Sequence, residues 1–127
     1  MKLKDASLLR TQSYINGEWV GASDGRSFAI HNPADGSLIA EVADLDAADV
    51  IRAIDVAVPA QKAWAATPAK ARAVILRRWY DLIVDNTDDL ALILTTEMGK
   101  PLNESKGEIA YGASFVDWFG EEARRIC

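Results

Sequence analysis

The chain has 127 residues, half of them hydrophobic and 26% charged, with 19 acidic against 14 basic side chains and a formal charge of −5. This is the composition of a packed globular chain, one small domain or part of something larger, able to bury about 65% of its unfolded surface and unlike a disordered segment. The acidic balance argues against sequence-independent nucleic-acid binding, which needs a basic footprint; a single cysteine and a single histidine exclude an internal disulfide framework and a Cys/His zinc site; and no apolar run approaches the ~18 residues of a membrane span.

The first five residues, Met1-Lys2-Leu3-Lys4-Asp5, carry positive charge, but no apolar stretch follows, so no secretory signal is expected and a cytoplasmic location is the default. Residues 1–12 read as an N-terminal arm. Residues 13–43 then read as β-ribbons. Asn16-Gly17 lies between Ser13-Tyr14-Ile15 and Glu18-Trp19-Val20, and Asn-Gly between β-formers predicts a hairpin because both turn positions need positive φ. Ser23-Asp24-Gly25 leads into Ser27-Phe28-Ala29-Ile30; Asn32-Pro33-Ala34-Asp35-Gly36 breaks that strand; Ser37 to Val42 starts another. Leu38, Ala40 and Val42 alternate with Ser37, Ile39 and Glu41, with Ile39 out of phase, which predicts antiparallel ribbons with one covered face.

From residue 46 onward the pattern is helical. Asp46 suits an N-cap, and Val50, Ile54, Ala57 and Ala60 or Gln61 keep 3.6-residue spacing. Pro59 should kink or split that helix, since it lacks a donor and crowds the previous turn. Thr67-Pro68 predicts a restart, with the hydroxyl as N-cap and Pro at the first helical position. Residues 71–86 then place Ile75, Trp79, Leu82 and Ile83 on one stripe, expected to be core. Thr87-Asp88-Asp89 is a further start, its acids favoured by the positive helix end, and Gly99 with Pro101 ends that helix after Met98. The last helix begins near Leu102 to Glu104 and is expected to run to the chain end. Tyr111, Phe115, Trp118, Phe119, Glu122 and Ile126 share one face of it; Gly112, Ala113, Val116, Gly120 and Ala123 lie opposite. The helix-forming sequence after Glu121 meets no Gly, Asn or Pro, so further residues are expected beyond it. The fold class expected is α+β: antiparallel β-ribbons plus several long helices.

The residues hold few chemical groups of their own. No G-x-G-x-x-G, Walker or G-x-S-x-G motif occurs. Cys127 is the only thiol, beside Arg124 and Arg125, but a terminal cysteine is not pre-organised as a nucleophile. His31 sits in a turn, where an exposed or structural role competes with general-base chemistry. Glu97, near a helix C-terminus, opposes the dipole and needs a partner, either a lysine such as Lys100 or a cation. The aromatic stripe Tyr111, Phe115 and Trp118 reads as core packing or as a ligand wall.

In order along the chain, these signals resemble the amino-terminal portion of the aldehyde dehydrogenase superfamily. Ile15-Asn16-Gly17-Glu18-Trp19 looks like its opening hairpin, Asn32-Pro33-Ala34-Asp35-Gly36 like its Asn-Pro-x-x-Gly turn, Ala63-Trp64 and Arg72 to Leu76 like its early helices, and Thr95 to Pro101 like its Glu-x-Gly-Lys-Pro segment. Pro101 to Ile109, Ser114 to Phe119 and Glu121 to Ile126 are most similar to succinate-semialdehyde dehydrogenases; Pro59 departs from the pattern.

The resemblance implies that residues 13–127 are the amino-terminal part of the cofactor-binding domain of an α/β enzyme, incomplete here. It implies an NAD- or NADP-dependent oxidation of an aldehyde, succinate semialdehyde to succinate, through a cysteine thiolate, a base glutamate and an asparagine oxyanion donor. None of those catalytic or cofactor-binding residues is expected within this chain, and Cys127 does not match the nucleophile's motif. The chain alone is therefore expected to bind no cofactor and to be inactive. By position, the resemblance makes Tyr111, Phe115 and Trp118 substrate-tunnel candidates. It makes Ile30, His31 and Glu97 candidates for holding a monovalent cation through oxygen atoms. The expected partners are the remainder of the enzyme and further copies in a homo-oligomer, with no nucleic acid and no membrane. The competing reading is a non-catalytic helical interaction module that self-associates.

Overall fold

The computed structural model describes residues 1–125. Two small antiparallel sheets precede four helices, the expected α+β arrangement.

Strands β1 (Ser13–Ile15) and β2 (Glu18–Val20) form the first hairpin, with Tyr14 opposite Trp19. Its turn residues have φ of 52° at Asn16 and 84° at Gly17, the double positive φ that selects Asn-Gly. The Tyr14 and Trp19 rings lie 5.1 Å apart and the Arg10 guanidinium stands 4.7 Å over Trp19. β3 (Ser27–His31) pairs with β4 (Leu38–Ala43). Ile30 pairs with Ala40 and His31 with Leu38, so Ile39 is an extra, bulged residue. The bulge explains the broken alternation: Ala40 and Val42 are half-buried as expected, but Leu38, beyond the bulge, is exposed.

Helix α1 (Ala47–Ala66) opens with a reciprocal capping box between Asp46 and Asp49. Pro59 does not split it. The helix runs unbroken for 20 residues, and both Pro59 and Asp55, whose carbonyl loses its partner, are exposed, so water can take up the freed acceptor. Thr67 closes α1 rather than starting the next helix. Its hydroxyl donates to the Ala63 carbonyl at 3.2 Å, and Arg72 reaches back to the carbonyls of Ala65 (3.0 Å) and Thr67 (2.6 Å). The side chain is therefore engaged with the preceding turn, and α2 (Ala69–Asp85) begins after Pro68 without a side-chain cap.

α3 (Thr87–Met98) follows after a single residue, Asn86, and stops at Gly99 in the left-handed region. α4 (Leu102–Glu122) packs on both α2 and α3. It does not continue to the chain end: residues 123–125 form turns, with Arg124 donating to Glu121 and Arg125 to Glu122 through i→i+3 bonds. Such bonds commonly tighten a last helical turn. Ile126 and Cys127 lie outside the described residues.

The packing inverts the expected helix faces. The buried apolar residues are Ala73, Ala91 and Ala113, joined by Ser105 and Gly120. Trp79 is 55% exposed, and Ile75 and Leu82 are exposed with it. The face of α2 turned to α4 is instead that of Ala73 and Leu76: a Cβ built on Gly120 would lie 3.4 Å from Leu76 Cβ. Small residues let the helices approach closely, with Leu76, Leu90, Leu92, Ile93, Leu94 and Ile109 half-buried around them and Ile75, Trp79, Phe115 and Trp118 left outside.

Candidate functional site

Three places gather polar or aromatic side chains. The first is where the end of α3 meets the turn after β3. That turn is built by Asn32: its side chain accepts from the Ala34 amide at 2.9 Å, its carbonyl from Gly36 at 2.8 Å, and its own amide donates to Ser37 at 2.9 Å. Asp35 accepts from the Ser37 amide and hydroxyl, which hold its carboxyl below the usual carboxylate range. Pro33 then rests on Gly99, where a Cβ would lie only 2.9 Å from Pro33 Cγ. Gly99 therefore answers two demands at once, a φ of 82° and a close approach.

This contact sets the turn that follows Ile30 and His31 against the glycine that ends α3 two residues after Glu97. Glu97 and His31 are exposed there and Ile30 is half-buried. Lys100, offered by the sequence as a partner for Glu97, is paired with Glu108 instead. No group of three or more His, Cys, Asp or Glu side chains suited to a metal ion occurs among the described residues.

The second place is the outer face of α4. Tyr111 (68% exposed) and Phe115 meet edge to face at 4.9 Å, and Trp118 (63% exposed) and Phe119 continue the stripe. Ser114, Phe115, Trp118 and Phe119 border an apolar hollow of about 350 Å³; Tyr111 stands outside it. The face is outward because Ser105, Ala113 and Gly120, at spacings of eight and seven, take the inner side. The core reading of this stripe is thus overturned among the described residues, and an open aromatic wall remains.

The third comprises two buried carboxylates, Asp49, which the sequence did not single out, and Asp89, which it offered only as an acid of a helix start. Asp49, 5% exposed, accepts from the amides of Ser23 and Asp46 at 3.3 and 3.2 Å and pairs with Arg52. Burial pushes its carboxyl up, but the hydrogen bonds from Asp46 and Ser23 and the Arg52 charge outweigh it, and the net shift is down. Asp89, also 5% exposed, accepts from the backbone amides of Lys4 and Asp5. Its neighbour Asp88 lies between Lys106 (2.7 Å) and Lys4 (2.9 Å). Hydrogen bonds from these two lysines and their charges lower its carboxyl to about 2.

The junction of β4 with α1 has no glycine between strand and helix, where a dinucleotide cradle needs a glycine-rich turn. It carries Asp44, Asp46 and Asp49, whose charges repel a pyrophosphate. No helix among the described residues is long and apolar enough to cross a membrane.

Comparison with known proteins adds to this geometry. The family model described as "Aldehyde dehydrogenase family" matches residues 19–127. The chain is 55% identical over 126 residues to the glutarate-semialdehyde dehydrogenase of Pseudomonas aeruginosa, and 49% identical over 126 residues to the succinate-semialdehyde dehydrogenase (NADP+) of Escherichia coli; each alignment covers 99% of this chain and 26% of the relative. Among solved structures, an aldehyde dehydrogenase from Brucella melitensis biovar abortus superposes with a TM-score of 0.97 at 52% identity, over 100% of this chain and 26% of that one. The chain thus spans about a quarter of the length of the relatives it matches.

Proposed function

The chain belongs to the aldehyde dehydrogenase family, and on that premise we propose that it is the amino-terminal part of a longer NAD- or NADP-dependent enzyme that oxidises a short semialdehyde, succinate semialdehyde, to the diacid. The α+β arrangement matches the amino-terminal part of aldehyde dehydrogenase structures. Within such an enzyme, the aromatic wall of Tyr111, Phe115 and Trp118 would line the approach to the reacting centre. It offers the substrate's carbon chain an apolar surface that excludes water. Ile30, His31 and Glu97 would hold a monovalent cation through oxygen atoms. The nucleophile, the base, the oxyanion donor and the dinucleotide site are supplied by the remainder of the enzyme. The observation that carries the reading is near-full-length similarity of this chain to two semialdehyde dehydrogenases, both named for substrates with a carboxylate at the far end from the aldehyde.

The test is a nicotinamide-reduction assay on two proteins: the product of the longest reading frame that contains this chain, and the 127-residue chain alone. The expected result is aldehyde-dependent formation of reduced cofactor by the longer protein on succinate semialdehyde, and none by the chain alone. A higher kcat/KM for glutarate semialdehyde would correct the substrate. Turnover by the 127-residue chain would refute the division of labour.

The exposed apolar side chains of α1, α2 and α4 also favour a second reading, a self-associating helical module without catalysis. Sedimentation separates the two. A defined oligomer of the chain alone, unchanged when the rest of the enzyme is added, would support the module; capture of the chain by the remainder of the enzyme would support the first reading.

A further inference from the structure

We propose that residues 1–8 form a strap latched to the start of α3 by the Asp89 carboxylate, and that this strap opens without unfolding the helices. The latch joins groups 84 and 85 residues apart in sequence. The Lys4 amide donates to Asp89 Oδ1 at 3.0 Å and the Asp5 amide donates to Asp89 Oδ2 at 2.7 Å. Two consecutive backbone donors thus converge on both oxygens of one buried carboxylate, and a charged acceptor makes each bond stronger than a neutral one would.

The local geometry leaves Asp89 free for this task. It is the third residue of α3, where an acid commonly reaches back to the N-cap amide. Here Asn86, the N-cap, makes no side-chain capping bond, and Asp89 turns away from its own helix to the arm. Beyond the latch, Asp5 caps its own short turn, Ala6–Leu8, by accepting from the Ser7 amide at 2.9 Å. Leu3, Leu8 and Leu9 are half-buried and the polar residues between them exposed. The arm therefore has its own local order and a light apolar contact, with the carboxylate as its principal polar attachment. Asp88 reinforces the closed state from outside, since the Lys4 ammonium and the Lys106 ammonium of α4 share its carboxylate. The fully buried residues of α2, α3 and α4 other than Asp89, namely Ala73, Ala91, Ala113, Ser105 and Gly120, make none of the latch's bonds.

Residue-resolved hydrogen exchange on the 127-residue chain tests this. In the unsubstituted protein, the amides of Lys4 and Asp5 should exchange at least tenfold more slowly than in a peptide of residues 1–12. Asp89→Asn keeps the size but replaces one acceptor with a donor that faces an N–H, and Asp89→Ala removes both acceptors. Each should speed those two amides at least tenfold and raise tryptic cleavage after Lys4 in step, while the amides of α2 and α4 stay within threefold. Asp88→Asn, which leaves both backbone bonds in place, should change Lys4 and Asp5 exchange by less than threefold. Retained protection of Lys4 and Asp5 in either Asp89 variant would overturn the proposal, as would peptide-like exchange in the unsubstituted chain. Loss of α2 and α4 protection together with the arm in Asp89→Asn would also overturn it, because strap and helices would then be one unit.

Discussion

Gly99→Ala offers the sharpest test of how the α3 end is joined to the ribbon. Two penalties fall on this one methyl. At a φ of 82°, an L side chain meets the following carbonyl, at about 1–2 kcal/mol. The new Cβ would also lie 2.9 Å from Pro33 Cγ, inside contact distance of a ring that cannot rotate away, and relieving such an overlap costs about 1–3 kcal/mol. Gly36 supplies the control: its φ is 73°, but nothing lies within 4 Å of its Cβ direction. Gly36→Ala therefore carries the backbone penalty alone, and the gain from a less flexible unfolded chain is the same for both. Urea melts should show a loss of about 1–2 kcal/mol for Gly36→Ala and about 2–5 kcal/mol for Gly99→Ala. Pro33→Ala removes Cγ, so in a double-mutant cycle it should recover the excess in the Gly99→Ala background. Equal losses at the two glycines, or a cycle with no coupling, would refute the claim that Pro33 seats on Gly99.

The same melts distinguish inner from outer helix faces. Trp79→Ala, with its ring more than half exposed, should cost about 1 kcal/mol or less, where a buried ring would cost about 3–5 kcal/mol; a value in the larger range would return Trp79 to the core. Gly120→Ala should be neutral or stabilising by up to about 1 kcal/mol, since alanine is the better helix former and its Cβ would stand 3.4 Å from Leu76. Gly120→Leu should cost at least about 1–3 kcal/mol by forcing α2 and α4 apart; a tolerated leucine would mean that the helices do not cross there. The carboxyl carbon of Asp88, followed by NMR, should titrate near 2 rather than at the ordinary 3.8. Because the folded value is the lower one, the contribution of this group is complete above pH 4 and fades as the pH falls toward 2; a midpoint near 3.8 would show that Lys106 and Lys4 do not hold it.

Local backbone chemistry made much of the fold readable. Asn16-Gly17 called for two positive φ values and has them, and Gly99 ends α3 in the left-handed region as its position after Met98 implied. Such signals depend only on the residues next to one another. The buried helix faces were not readable in the same way, because periodicity reports that a helix has two faces and says nothing about which one meets a neighbour. In α4, the rule that large apolar side chains go inside selected Tyr111, Phe115 and Trp118, and the contacts run instead through Ala113 and Gly120. The site was legible to a similar extent. The Asn32–Gly36 turn and the Glu97–Pro101 segment were visible as motifs, but their meeting through Pro33 and Gly99 spans more than sixty residues of chain. Asp89 was hidden more deeply: as an acid in the first turn of a helix it has a sufficient local explanation, and only the three-dimensional position of Lys4 and Asp5 reveals its other partner.

The distribution of side-chain size also bears on what the chain needs around it. Burial of apolar area stabilises by about 25 cal/mol per Å², so fully buried positions held by alanines, a serine and a glycine contribute less than leucine or phenylalanine would there. Leu76, Ile83, Leu90, Leu92, Ile93, Leu94 and Ile109 are half-buried beside them, and Ile54, Val58, Ile75, Trp79, Phe115 and Trp118 are exposed. In α1 only Asp49 is buried among 20 residues, and an isolated helix of that length containing a proline is marginal in water. The close small-residue contacts fix how α2, α3 and α4 are arranged, and the outward aromatic and aliphatic faces hold most of the hydrophobic free energy still to be gained. A chain divided in this way would gain stability from a surface that covers those faces, which accords with the proposal that it is one part of a longer enzyme and makes α1, with only Asp49 fully buried, the element most dependent on that cover.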